Sequence, residues 1–232
     1  MAVANNGAER GYVPALGRLP RAFGAYDAIV RWTMRDRAVK ARLLADAELT
    51  AEVSDVLDVG CGTGTFALAV AGAGPWATVR GVDGDASALA VAESKAARRS
   101  APREPSAPGV GVRFAWGLAT ALPVADACMD RAFSSLVFHH LGAQAKRRAA
   151  AEVRRVLRPG GTFHLCDWGA PSGPAMRAAF RVIEWTDGRA TTAENRTGAL
   201  PGILREAGFT DVRETAAFDT AFGTIRLWAG RR

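Results

Sequence analysis

Cysteine, histidine and long apolar runs are all scarce in this chain, and each scarcity excludes something. Three cysteines occur in 232 residues: Cys61, Cys128 and Cys166, far apart and with no C-x-x-C pair. They suggest neither a disulfide framework nor a zinc ribbon, so free thiols in a reducing compartment are expected. The three histidines, His139, His140 and His164, supply no ligand set with familiar zinc spacing, and no metal is expected. No apolar run reaches the roughly 18 residues needed to cross a bilayer, so no membrane contact is expected. The opening Met-Ala-Val-Ala-Asn-Asn-Gly lacks a basic segment followed by an apolar core, so no secretion signal is expected either. A soluble, cytoplasmic protein follows as the expectation.

Acidic residues are outnumbered, 23 against 30 Lys and Arg, which leaves a net charge of +7. Such a balance invites a nucleic-acid partner. The arginines, however, are spread along the chain. In the helical pattern after Leu141, Ala149, Val153, Val156 and Leu157 fall on one core-facing stripe, while Arg147, Arg154 and Arg158 share another face. That arrangement reads as a solvated outer face rather than a phosphate track. A small molecule is therefore the expected partner, and monomer and homodimer both stay open.

What is present is an alternation of strand and helix signals. Arg21 to Ala47 reads as helical, with Ala22, Tyr26, Ile29 and Val30 spaced for one face. Asp55 to Gly60 is a short apolar run ending in glycine, a buried strand, and Phe66 to Ala73 is a helix. Ala77 to Val82 is a second strand, and Asp85 is placed to cap a helix running to Arg99. Ser100 to Pro108, with three prolines, is a loop. Val110, Val112, Phe114 and Trp116 alternate as a third strand. Asp130 to Ser135 is a fourth, Thr162 to Trp168 a fifth, and a helix between them stops before Pro159-Gly160-Gly161. A helix over Ala175 to Asp187, a polar stretch to Thr197, a helix ended by Gly208 and strand-like runs around Val212 and Ile225 complete the order. Repeated βα units require a mostly parallel sheet with helices on both faces, and ligands bind such sheets at the strands' carboxyl ends.

The turn after the first strand is Leu57-Asp58-Val59-Gly60-Cys61-Gly62-Thr63-Gly64, and Asp83 closes the second strand about twenty residues on. Glycines there let the backbone approach a ligand closely, and the carboxylate can accept the hydroxyls of a ribose. By itself the pattern is ambiguous: Gly62-Thr-Gly64-Thr-Phe-Ala67 also satisfies the G-x-G-x-x-A dinucleotide fingerprint, which would make the chain an NAD(P)-dependent oxidoreductase. Asp58 separates the two readings. A carboxylate beside the turn opposes a pyrophosphate and suits a cationic ligand bearing an amino group and a sulfonium.

The whole block resembles the first motif of class I S-adenosylmethionine-dependent methyltransferases. Val56-Leu-Asp-Val-Gly-Cys-Gly-Thr-Gly64 matches its glycine loop and Asp83 its ribose-binding acid. Leu122-Pro123, Asp126 and Asp130 are similar to the "LP-x-x-D…D" stretch before the fourth strand, and Glu152 to Gly161 to "E-x-x-R-V-L-R-P-G-G". The similarity runs from Val53 to Trp168 and points to the UbiE-like small-molecule group. It implies a Rossmann-like, mostly parallel seven-stranded sheet with helices on both faces. An N-terminal helical cap or substrate lid over 1–52, a cofactor-binding domain over 53–232 and a substrate-covering insert at 175–200 complete the implied organisation.

The resemblance also implies S-adenosyl-L-methionine as cofactor, lined by Tyr26, Asp58, Gly60, Cys61, Gly62, Gly64, Asp83, Gly84, Gly117, Leu118, Ala119, Ser134 and Ser135. Its methyl group would pass to oxygen, nitrogen or carbon of a small acceptor. His139 would serve as general base with Asp167 orienting it and His140 beside it, whereas His164, inside the fifth strand, is expected to be a satisfied core residue. Tyr26, Trp32, Trp168, Phe180 and Trp185 could form an apolar pocket. One position departs from the family: Leu118 stands where an acid usually meets the adenine amino group. That departure keeps open a methyltransferase-fold protein catalysing a non-methyl reaction such as cyclisation.

Overall fold

The computed structural model describes residues 35–100 and 111–232. Most of the helix expected from Arg21, together with Tyr26, Trp32 and the proline-bearing loop, lies outside them. Within the described residues that expectation is met by α1 (Asp36–Asp46), which starts after a left-handed Arg35, φ 54°, so the helical run does not pass through Arg35. It is followed by β1 (Asp55–Val59), α2 (Thr65–Ala73), β2 (Thr78–Asp83), α3 (Ala86–Ser100), β3 (Val112–Trp116) and β4 (Met129–Ser135). A short 3-10 turn (Phe138–His140), α4 (Ala143–Val156), β5 (Leu157–Trp168), α5 (Pro174–Asp187), α6 (Ala193–Thr197), α7 (Leu200–Glu206), β6 (Thr210–Thr220) and β7 (Gly223–Arg231) complete the chain.

The strands form one sheet in the order β3-β2-β1-β4-β5-β7-β6, with β7 antiparallel to both of its neighbours and the other pairings parallel. A period of two sends successive side chains to opposite faces. Val56 and Leu57, Cys166 and Leu165, and Leu227 and Trp228 accordingly divide between two separate cores. One core is closed by α1, α2 and α5, the other by α4 and α7. Because both faces are covered, β1 is buried from Val56 onward and reads as a continuous apolar run broken only by Asp58. The strand order reverses between β1 and β4, and the crevice at their carboxyl ends is where such sheets bind ligands.

One expected boundary moves and one expected alternation does not translate into burial. β5 begins at Leu157 rather than Thr162, because Leu157 pairs with Met129 ahead of a register shift in β4. β3 lies at the sheet edge, so its alternation does not bury Trp116; that ring is exposed and its indole N–H donates to the Gly84 carbonyl at 2.9 Å.

The family-like motif residues away from the crevice prove structural. Asp130 accepts from the Ser54 and Asp55 amides at 2.9 Å each and pairs with Arg158, which also holds Asp55, so this cluster pins the start of β1. Glu152 on α4 accepts from the Leu122 amide at 2.8 Å and from Arg155 through both oxygens. Arg155 in turn donates to the Leu122 and Val124 carbonyls and to Asp126. These bonds fix the "LP-x-x-D" stretch against α4. Glu152→Ala strands a half-buried amide and a guanidinium, so it is expected to destabilise the fold by ~1–3 kcal/mol. Asp126→Ala, at the exposed rim of the same cluster, is expected to change stability by less than ~0.5 kcal/mol. Urea unfolding of both variants decides; equal losses would show that the clamp does not depend on Glu152.

Candidate active site at the strand-order reversal

Beyond β1 the chain turns sharply. Gly60, Gly62 and Gly64 all have left-handed φ, at 72°, 51° and 71°. The Gly60 and Cys61 amides donate to the Val82 carbonyl at 2.7 and 3.1 Å, which draws the turn over the end of β2. A Cβ on Gly60 would stand 2.3 Å from Val137 Cγ2, so the chain after β4 excludes any side chain there. At Gly62 an added Cβ would meet nothing within 4 Å, so this face of the turn is open to a ligand. Asp83 braces the turn from β2: its Oδ2 accepts from the Gly62 amide at 2.7 Å and its Oδ1 from the Asp85 amide at 2.8 Å. Each oxygen retains a second lone pair for a hydroxyl donor. Burial raises the Asp83 carboxyl above the ordinary range against the pull of those amides. Asp85 caps α3 as expected, accepting from the Ser87 and Ala88 amides.

Asp58 is 1% exposed and its Oδ2 has no hydrogen-bond partner. Burial pushes its carboxyl up to about 7, with Lys40 pulling down and Asp83 pushing further up. Ser134, opposite Val59 in the register, likewise has a buried hydroxyl without a partner, and its neighbour Ser135 faces the Cys166 thiol. A buried carboxylate with one oxygen unpartnered, its group otherwise bonded by the Ala67 amide, fits a cationic group such as an ammonium or sulfonium and opposes a pyrophosphate. The donor set therefore fits S-adenosylmethionine. On the third side, Gly117 donates to the Asp83 carbonyl at 3.0 Å, and a Cβ on it would stand 2.5 Å from Pro123 Cδ. Leu118 bridges to Ala121 through its carbonyl, and Ala119 packs against the core. Burial drives the Cys61 thiol far above its usual range, so it presents no thiolate.

The histidines are placed by a strained corner. Leu136 adopts φ 57°, a left-handed conformation uncommon for a bulky side chain, and its amide donates to the Cys166 carbonyl at 2.8 Å. The next residues are held by Asp167, which is 0% exposed at the end of β5. Its Oδ2 accepts from the Val137 and Phe138 amides at 3.0 and 2.7 Å. Its Oδ1 accepts from His139 Nδ1 at 2.8 Å, the Trp168 amide at 2.7 Å and Asn195 Nδ2 at 3.1 Å. A carboxylate acceptor at Nδ1 places the proton there and leaves the lone pair of the neutral ring on Nε2. His140 stacks on His139 with ring centroids 3.9 Å apart, and burial together with the His139 charge holds it well below the usual histidine range. His164 lies elsewhere, 2.8 Å from Thr162 Oγ1, a satisfied core residue whose burial brings it down to about 4.

Several participants carried no sequence signal. Asp187, the last residue of α5, reaches over both histidines, 3.8 Å from His139 Nε2 and 3.6 Å from His140 Nδ1. Asn195, 0% exposed, donates to Asp167 and to the Trp168 carbonyl, so the polar stretch after α5 sends this side chain to the dyad. Lys146, buried on α4, binds Glu194 at 3.0 Å and the Thr191 carbonyl, tying that stretch down. Of the expected aromatic pocket, Trp168 and Phe180 pack edge to face at 6.1 Å and Trp168 meets His139 at 6.4 Å. Trp185 is 86% exposed, because its position on α5 faces away from the sheet, and among the described residues it joins no aromatic cluster. Tyr26 and Trp32 lie outside the described residues.

The Asp58 environment has a consequence for stability. A carboxyl raised in the folded state opposes folding once ionised, so its contribution worsens as pH rises from the ordinary carboxylate range through about 7. Without ligand, Asp58→Asn is expected to be more stable than wild type by roughly 2–4 kcal/mol at pH 8, the gain shrinking as pH falls below 7. Thermal unfolding across pH checks this; a pH-independent difference would show that burial does not raise this carboxyl.

Comparison with known proteins agrees with this geometry. Residues 57–165 match the family model described as a methyltransferase domain. A malonyl-[acyl-carrier protein] O-methyltransferase from Methylococcus capsulatus is 33% identical over 158 residues, which is 68% of this chain and 52% of that protein. This chain thus spans about half the length of that relative. The O-methyltransferase cnsE of Penicillium expansum is 30% identical over 209 residues, 82% of this chain and 69% of that one. Among solved structures, the YcgJ protein of Bacillus subtilis superposes with a TM-score of 0.66 at 19% identity, covering 84% of this chain and 98% of that one, a likeness of fold. Identity at this level over more than two thirds of a methyltransferase, together with the matched domain and the glycine turn braced by Asp83, shows that the chain belongs to the class I S-adenosylmethionine-dependent methyltransferases.

Proposed function

We propose that this protein methylates a small-molecule acceptor at oxygen, nitrogen or carbon, with His139 as general base. The observation that carries the proposal is the Asp167–His139 dyad, whose Nε2 is left with its lone pair at the reversal of strand order, on the turn that follows Ser134 and Ser135. Bound S-adenosylmethionine supplies an already activated methyl group on its sulfonium. The chain's part is to hold, align and deprotonate. Asp83 would take the ribose hydroxyls, and Asp58 would meet the cationic amino-acid end. Backbone of Gly60, Cys61, Gly62 and Gly64 would line the cofactor, and Gly84, Gly117, Leu118 and Ala119 would border its adenine. Leu118 would offer that ring apolar contact in place of a carboxylate.

His139 Nε2 takes the acceptor's proton as the new bond forms, while Asp167 keeps the ring in one tautomer and stabilises the imidazolium. Asp187 lies 3.8 Å from the same nitrogen and favours that protonated state electrostatically. His140 adds a neutral wall to the acceptor side. Trp168 and Phe180 close the apolar side of this corner, which suits a small acceptor. The arginines support the same choice, since Arg147, Arg155, Arg158 and Arg226 are engaged in ion pairs within the fold.

Calorimetry with S-adenosylhomocysteine tests the cofactor roles. Asp83→Ala is expected to weaken binding by ~1–3 kcal/mol, the range for hydrogen bonds to a charged group. Unchanged affinity removes Asp83 from the site. For the base, the protein is given radiolabelled S-adenosylmethionine and a panel of phenols, carboxylates, amines and carbon acids. His139→Ala is expected to lose at least ~100-fold in turnover while binding S-adenosylhomocysteine within twofold of wild type. Full turnover in that variant would mean that alignment alone suffices.

A further inference from the structure

The cluster around Asp187 has a geometry that the base role leaves unexplained. Its two carboxylate oxygens stand 3.8 Å from His139 Nε2 and 3.6 Å from His140 Nδ1. Both separations are too long for a direct hydrogen bond. Ligand atoms from the three residues nevertheless lie within 4.8 Å of one another. A tetrahedral zinc centre with bonds of about 2.0–2.1 Å sets its ligand atoms about 3.3–3.4 Å apart, so the histidine–carboxylate separations need to shorten by a few tenths of an ångström and the widest separation in the set by at most about 1.4 Å, within reach of side-chain rotation. The donors are two imidazole nitrogens and a carboxylate, a set that suits zinc and its neighbours over magnesium or calcium.

We infer that His139 Nε2, His140 Nδ1 and Asp187 form a three-ligand site for a divalent transition ion of the zinc type. The surroundings are those of a built site. His139 Nδ1 is held by Asp167 at 2.8 Å, the carboxylate–histidine arrangement that orients imidazole ligands and raises their basicity. Asp167 is fixed by four further donors, and Asn195 locks it from the insert. The two histidines come from one short turn, and Asp187 arrives from the end of α5, so the site forms only when α5 is docked against the sheet. Three protein ligands leave a fourth position for water or an acceptor atom. The consequence for turnover rests on the reading of His139 as base: one lone pair on Nε2 cannot bind an ion and take a proton at once. The ion-bound protein is therefore an inhibited state, relieved by chelation.

The test uses the full chain, stripped with a chelator and titrated with cobalt(II) as a spectroscopic probe and with zinc in competition. Wild type is expected to bind one equivalent, with the visible absorption of a low-coordinate cobalt centre that zinc displaces. His140→Ala and Asp187→Ala are each expected to weaken binding at least tenfold. S-Adenosylhomocysteine affinity in the same variants controls for folding and is expected to stay within threefold of wild type. Absence of stoichiometric binding, or equal affinity in the variants, overturns the site. Stoichiometric zinc binding that leaves turnover unchanged overturns the inhibited state while sparing the ion site. Failure of wild type to bind S-adenosylhomocysteine would instead remove the functional reading and leave the metal result standing.

Discussion

A single buried carboxylate organises the working end of this fold. Asp167 closes β5 and accepts five hydrogen bonds, from two backbone amides after β4, its own neighbour's amide, a histidine and an asparagine. Each donor left without it would cost about 1–3 kcal/mol of desolvation, so the corner stands or falls as a unit. The strained φ of Leu136 survives because the next two amides are captured immediately beyond it. The same carboxylate sets the tautomer of His139 and, through Asn195, ties the segment after α5 to the sheet. On the proposed mechanism, structure and chemistry share this one group at the end of the fifth strand.

The opposite wall of the crevice is arranged on a different principle. Asp83 binds the glycine turn it is expected to complement, so the turn is preset before any ribose arrives. Asp58 is left with an unsatisfied oxygen and a carboxyl raised by burial. An isolated fold gains nothing from that charge; on the proposed reading it is a local sacrifice of stability for recognition of a cation. The two walls meet because the strand order reverses between β1 and β4, bringing the glycine turn beside the turn that carries the proposed base.

Much of this was legible in the sequence, and the reasons differ by residue. The glycine turn, Asp83 and the strand–helix order could be read because backbone conformation and period-two burial leave local traces. The Glu152–Arg155 pair and Asp130 could be seen as motif members, yet their work as clamps emerged only with the Leu122, Ser54 and Asp55 amides in place. Asp187 and Asn195 left no trace, since each acts across the fold on residues distant in the chain. Histidine spacing gives no sign of the proposed ion site for the same reason: its third ligand would come from another element. Trp185 was misjudged because an aromatic on an amphipathic helix signals burial on average, and this one lies on the solvent face.

The central claim is that Asp167 fixes His139 with its proton on Nδ1 and a lone pair on Nε2. Nitrogen-15 NMR of the imidazole rings in the metal-free protein, at a pH where His139 is neutral, reads that state directly. The account expects the Nδ1–H tautomer in wild type and its loss or mixing in Asp167→Asn. An Nε2–H tautomer in wild type would contradict it.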